Sequence, residues 1–296
     1  MMSYRFKGIF TPLTTPYEDD HISPEKLKEN IEKYNVFDLS GYVVLGSTGE
    51  SVFLSDMESE ELVKTAKKAA ASDKTIIAGT AKESTQLTLE FTNRMANEGA
   101  DTALIRTPSY MKSLMDEEAL RSYFLTIADS SKIPIIIYHI PRSTGLTISS
   151  KLIADLSEHP NIAGLKDSSG NVAFLGETIP QLHTNFDFLL GAASIFLPGL
   201  IMGASGGIIT LSSIAPSQCL RLFSLYREKK WEEAVNLQFE LIPLNKAIIE
   251  TYGIPATKYA LDLLGYHGGP CRPPLRSLDQ TGKDDMKTIL HKLNLL

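Results

Sequence analysis

The chain has 296 residues, 43% of them hydrophobic and 22% charged, with a net charge of −6. That is ordinary for a globular protein able to bury a core without disulfides or metal to hold it. The acidic balance and the short basic clusters Lys67-Lys68 and Arg227-Glu228-Lys229-Lys230 argue against a nucleic-acid binder. Cys219 and Cys271 form neither a disulfide framework nor a zinc spacing, and a reducing cytoplasm is expected. No export signal is expected from Met1-Met2-Ser3-Tyr4-Arg5-Phe6-Lys7, which lacks an apolar core. Ile195 to Leu211 is too broken by Pro198, Gly199, Gly203, Gly206 and Gly207 to span a membrane, and reads as helix, turn and strand.

In chain order, Gly8 to Leu13 reads as a first strand, and Ser23-Pro24 opens a helix running to about Phe37, with Ser23 as its cap. Gly41 to Leu45 reads as a second strand, and Ser55-Asp56-Met57-Glu58 has the spacing of a capping box. Strands at Thr75–Gly79, Thr102–Ile105 and Ile133–Tyr138 then alternate with helices at Thr85–Asn97, Asp116–Ala128 and Ser149–Leu156. A short apolar run delivers Lys166 to its end, and strands at Asp187–Leu190 and Gly207–Thr210 follow. About eight strand-plus-helix units with strands buried on both faces predict an α/β fold, a (β/α)8 barrel over residues 1–226. Beyond that the pattern is helical only, predicting a C-terminal helical domain over residues 227–296, with helices at Trp231–Thr251, Pro255–Leu264 and from about Lys283.

Three stretches carry chemistry. Asn161 to Gly170 places Lys166 at the carboxyl end of a strand, where barrels bind ligands. A lysine there can simply snorkel to water, but an amine in a partly dry pocket can also act as a nucleophile. Gly46-Ser47-Thr48-Gly49-Glu50 ends another strand. Its glycines admit close backbone approach and its hydroxyls add donors, which suits a carboxylate. Gly41 and Gly46 have P-loop spacing, but Ser47 stands where the lysine belongs. Tyr138-His139-Ile140-Pro141 ends the strand before that of Lys166. If Tyr138 points inward, its phenol lies within hydrogen-bonding reach of the amine, and His139 points elsewhere by alternation. The six histidines show no paired metal spacing.

These motifs, in this order, resemble the pyruvate-dependent class I aldolase family of dihydrodipicolinate synthase and N-acetylneuraminate lyase along nearly the full chain. The resemblance implies a (β/α)8 barrel, usually a homotetramer (a dimer of dimers), using no metal and no organic cofactor. Its partners would be small molecules, a 2-oxo acid and an aldehyde, without nucleic acid or membrane. Lys166 would form the imine, Tyr138 would be the acid–base group, and Ser47 and Thr48 would bind the carboxylate, with Thr48 also passing protons. Tyr110, in Thr107-Pro108-Ser109-Tyr110, would reach into a neighbouring subunit's site, and Gly191 and Ile209 would line the imine pocket.

Within the family, the dihydrodipicolinate synthase branch places an arginine two residues after the proline of the tyrosine motif. Ser143 stands there and Arg142 is one residue early. Glu83-Ser84-Thr85-Gln86, Lys166-Asp167-Ser168 and Gly265-Tyr266-His267-Gly268-Gly269-Pro270-Cys271-Arg272 are similar to the 4-hydroxy-2-oxoglutarate aldolase branch, with Ser168 a substrate contact. Against that branch, Thr48 occupies a position where it commonly has asparagine. The expected reaction is cleavage of 4-hydroxy-2-oxoglutarate to pyruvate and glyoxylate. The alternatives are dihydrodipicolinate synthase, a sialic acid lyase or sugar-acid dehydratase, and a catalytically silent 2-oxo acid sensor on the same barrel.

Overall fold

A computed structural model describes residues 6–296; the segment before Phe6, including most of the stretch read for an export signal, lies outside the described residues. Eight parallel strands close into a barrel: β1 (Gly8–Pro12), β2 (Gly41–Val44), β3 (Thr75–Gly79), β4 (Thr102–Arg106), β5 (Ile135–His139), β6 (Ile162–Asp167), β7 (Asp187–Leu190) and β8 (Gly206–Ile208). Each strand pairs with its sequence neighbour, and β8 pairs with β1, so no edge is left open. Side chains alternate between two apolar layers. One fills the barrel, from Phe10 on β1 to Ile208 on β8. The other lies between strands and helices and holds Ile9, Ile105, Ile137 and Leu165.

The expected (β/α)8 architecture is the observed one. The capping box at Ser55 and Glu58 is formed in both directions. Ser23 occupies the cap position of its helix, but its hydroxyl donates to Glu18 at 2.7 Å instead of capping. The last strand is shorter than expected and ends at Ile208, because the Ser212 N–H bonds back to the Ile209 carbonyl and turns the chain. The final helix begins at Gln280, before Lys283, because the Asp279 carboxylate accepts the Gly282 N–H. Helices at Val172–Thr178 and Pro216–Arg227 complete the alternation.

The C-terminal helices are tied to the barrel through charge. Lys258, 1% exposed on its side chain, donates to Glu50 Oε1 at 2.7 Å and to the carbonyls of Thr15 at 2.8 Å and Pro270 at 2.6 Å. All three ammonium protons are thereby satisfied. Burial pulls the Lys258 pKa down, against the opposing pull of Glu50. The Arg272 backbone N–H reaches Glu50 Oε2 at 2.9 Å, and its guanidinium forks onto both Glu58 oxygens at 2.9 and 2.6 Å. The Tyr17 ring lies 4.5 Å from Lys258 Nζ and 4.6 Å from Arg272 Cζ, measured from its centroid.

Two expectations follow. Barrel closure relies on glycine at β8: a Cβ at Gly206 would lie 1.9 Å from the Gly8 carbonyl oxygen. Gly206→Ala therefore destabilises the barrel by about 1–3 kcal/mol, read as a lowered urea midpoint; an unchanged midpoint would contradict the backbone contact. The second concerns Glu58, whose pKa is held down to about 2, first by the Arg272 hydrogen bond. A depressed carboxylate contributes stability above its unfolded pKa that is lost as pH falls through its folded one. Thermal midpoints of the wild-type protein fall between about pH 4.5 and 2 partly through Glu58. Glu58→Gln is less stable near neutrality and falls less steeply across that window; parallel curves would contradict the pairing.

Candidate active site

Adjacent parallel strands bring two groups together at the carboxyl end of the barrel. Tyr138 on β5 is the register partner of Lys166 on β6, so both point the same way, and both are buried. Lys166 Nζ lies 4.1 Å from the centroid of the Tyr138 ring. This differs from the expected hydrogen bond to the phenol. Tyr138 presents its ring face, a cation-binding surface, to the amine. Among the described residues, no carboxylate lies within ion-pairing distance of Lys166.

One residue further on, His139 and Asp167 are also register partners, on the opposite face. His139 Nδ1 is 2.7 Å from Asp167 Oδ1, and both side chains are buried. The His139 ring packs against Phe174 with centroids 4.9 Å apart. The alternation read from sequence is thus observed.

The Gly46–Glu50 stretch forms one 3-10 turn over Ser47–Gly49. The N–H groups of Gly49 and Glu50 bond back to the Gly46 and Ser47 carbonyls, leaving those of Ser47 and Thr48 with no backbone acceptor among the described residues. The two hydroxyls part company. Ser47 is exposed and lines a cavity of about 560 Å³, whereas Thr48 is nearly buried with its hydroxyl 3.0 Å from that of Thr210 beyond β8. Glu50 closes the turn in the left-handed region at φ +56° and is fixed there by Lys258 and the Arg272 N–H. Lys258 is not singled out in the sequence, where a lone charge amid Ile254-Pro255-Ala256-Thr257-Lys258-Tyr259-Ala260-Leu261 is its signal, and Arg272 appears there only as the end of the Gly265–Arg272 motif.

Ser47, Glu83, Arg106, Tyr138, Ile140 and Ser143 line this cavity; Lys166, the register partner of Tyr138, is not among its lining residues. Lys82 is the lysine in the wall, but it is tied to Asp56 at 2.7 Å, and that bond comes first in holding the Asp56 carboxyl below its usual range. Gly191 lies just past β7 and packs on Ser168, where a Cβ would come within 1.9 Å of the Ser168 hydroxyl. Its N–H bonds to the Asp167 carbonyl, beside Lys166. Ile209, just past the end of β8, belongs to the apolar layer between strands and helices, whereas Ile208 fills the barrel interior. Tyr110 is 86% exposed and outside the cavity, its N–H bonded to Glu83 at 3.0 Å. Arg142 donates to the Ile249 carbonyl at 3.1 Å, away from the cavity.

Among the described residues, no cluster of three or more His, Cys, Asp or Glu side chains could hold a metal, and no helix is long and apolar enough to cross a membrane.

Residues 5–293 match the dihydrodipicolinate synthetase family. The chain is 32% identical over 292 residues to the 4-hydroxy-tetrahydrodipicolinate synthase of Methanothrix thermoacetophila, covering 98% of this chain and 97% of that one. It is 33% identical over 279 residues to the protein of that name from Methanosphaerula palustris, covering 93% and 94%. The crystal structure of dihydrodipicolinate synthase from Aquifex aeolicus superimposes with a TM-score of 0.93 at 30% identity, covering 98% and 99%. These similarities do not single out the 4-hydroxy-2-oxoglutarate aldolase branch read from the sequence. The chain belongs to the dihydrodipicolinate synthetase family and is a pyruvate-dependent class I aldolase.

Proposed function

We propose that the enzyme holds pyruvate as an imine on Lys166 and joins it to an aldehyde, aspartate semialdehyde being the acceptor. The observation that carries the chemistry is the ammonium of Lys166 against the Tyr138 ring, 4.1 Å from its centroid, on register-paired strands. The name shared by the relatives supports the choice of acceptor.

Lys166 in its free-amine form attacks the ketone carbon of pyruvate, and the oxygen leaves as water. The resulting iminium draws electrons from the neighbouring methyl group, which loses a proton to give an enamine. The enamine carbon attacks the aldehyde carbon, and the developing alkoxide takes a proton through Tyr138, the phenol in the cavity wall. Water or the product's own amine then displaces Lys166 from the iminium carbon, releasing the product and the free lysine. The N–H groups of Ser47 and Thr48 and the Ser47 hydroxyl are the donors offered to the pyruvate carboxylate, without a full positive charge. The Thr48 hydroxyl, turned to Thr210, holds the turn in place. No cofactor is needed in this scheme. The high exposure of Tyr110 supports a homotetramer in which it enters a neighbour's site.

A second reading, cleavage of 4-hydroxy-2-oxoglutarate to pyruvate and glyoxylate, is favoured by Arg142 facing Ile249 while Ser143 faces the cavity. Both reactions use the same enamine and differ in the aldehyde.

Steady-state rates with pyruvate and a panel of aspartate semialdehyde, glyoxylate and N-acetylmannosamine separate these readings. The highest kcat/KM is expected with aspartate semialdehyde; a tenfold preference for glyoxylate would move the assignment to the second reading. No turnover with any aldehyde despite pyruvate binding would make the protein a silent sensor. Tyr138→Phe is expected to lower kcat about 10²–10⁴-fold without loss of pyruvate binding.

A further inference from the structure

An arginine among the inward-facing residues of a barrel is costly unless its charge is used. Arg106 ends β4, two residues after Leu104 of the interior layer, and is the register partner of Tyr138. Arg106, Tyr138 and Lys166 therefore stand side by side on three consecutive strands, facing inward. With about 4.8 Å between strands, the backbones at Arg106 and Lys166 are about 10 Å apart, and Tyr138 lies between them.

The guanidinium is only partly committed. Nη1 donates to Glu83 Oε1 at 3.0 Å, to the Thr107 carbonyl at 2.9 Å and, more weakly, to Ser109 Oγ at 3.4 Å. Nε and Nη2 have no hydrogen-bond partner among the described residues. Glu83 is itself occupied on the far side, accepting the N–H groups of Ser109 at 2.8 Å and Tyr110 at 3.0 Å. Lys82, the other cation lining the cavity, is bound to Asp56, and Arg142 donates to the Ile249 carbonyl.

We propose that Arg106 is the specificity-determining residue for the acceptor, its free N–H groups binding the carboxylate of an anionic aldehyde as it meets the enamine beside Tyr138. This rests on the imine reading above and identifies the residue that recognises the second substrate. Planar, two-pronged N–H donors match a carboxylate, and a charged hydrogen bond of this kind discriminates strongly against an uncharged analogue.

The test compares glyoxylate with glycolaldehyde, its uncharged counterpart, as acceptors for pyruvate in the wild-type protein and in Arg106→Gln and Arg106→Lys. Exchange of pyruvate methyl protons in deuterated water, which needs imine and enamine but no aldehyde, is followed in parallel. In Arg106→Gln, the ratio of kcat/KM for glyoxylate over glycolaldehyde is expected to fall about 10- to 100-fold, chiefly through KM for glyoxylate. Methyl exchange persists, and Arg106→Lys regains part of the ratio. An equal loss with both aldehydes, or an unchanged ratio, would overturn the assignment. Absence of methyl exchange in the wild-type protein would instead overturn the imine reading, and this proposal with it. Glu83→Gln supplies a check should Arg106→Gln fold poorly: it leaves the arginine in place and is expected to preserve the preference for glyoxylate. Loss of that preference in Glu83→Gln would show that the ion pair, and not the free donors, sets it.

Discussion

The parallel pairing of β5 with β6 is the constraint on which the site depends. Tyr138 faces Lys166 because the two are lateral partners in a closed barrel, where strand spacing and alternation leave little freedom. A slip of β6 by one residue would send the amine into the layer between strands and helices and bring Asp167 inward. The buried His139–Asp167 hydrogen bond at 2.7 Å joins the same two strands one step further along, on the opposite face. Amine and ring are thus held by backbone pairing on one side and by a buried polar pair on the other. The cation–ring contact itself contributes on the order of 1 kcal/mol, much less than the barrel that imposes it.

The carboxylate turn is fixed in a different way. A loop of glycines and hydroxyls has little apolar surface to hold its shape, and Glu50 sits in the left-handed region that only a few non-glycine residues adopt. Lys258 and Arg272 supply what the loop lacks, reaching it from a C-terminal helix and from the segment that follows it. Breaking one half of such a buried pair leaves a charge without compensation, which is why the helical layer is part of the site's architecture and not an ornament. The same layer takes Arg142 out of the cavity, through the Ile249 carbonyl. What remains in the wall near Tyr138 is Arg106, with donors to spare.

Strand and helix order was legible in the sequence because barrel strands are buried on both faces and read as short apolar runs between capped helices. The placement of Lys166 and Tyr138 at strand ends was legible for the same reason. Which hydroxyl of Ser47 and Thr48 faces the cavity was not, because a 3-10 turn obeys neither helical nor strand periodicity. Ile209 follows a last strand of only three residues, whose inward member, Ile208, fills the barrel. Arg106 passed unnoticed as a charge at the end of an apolar strand, and its value lies in a register partner 32 residues away, which spacing along the chain does not reveal. Lys258 and Glu50, 208 residues apart, were hidden likewise.

The central claim is that one lysine, Lys166, paired in register with Tyr138 and lying against its ring, is the group that condenses with pyruvate. Incubation with pyruvate and borohydride, followed by peptide mapping, tests it directly. The expected result is a single reduced adduct on Lys166, absent when borohydride is added without pyruvate. An adduct on Lys82, the lysine that lines the cavity, or no adduct on any residue, would contradict the account.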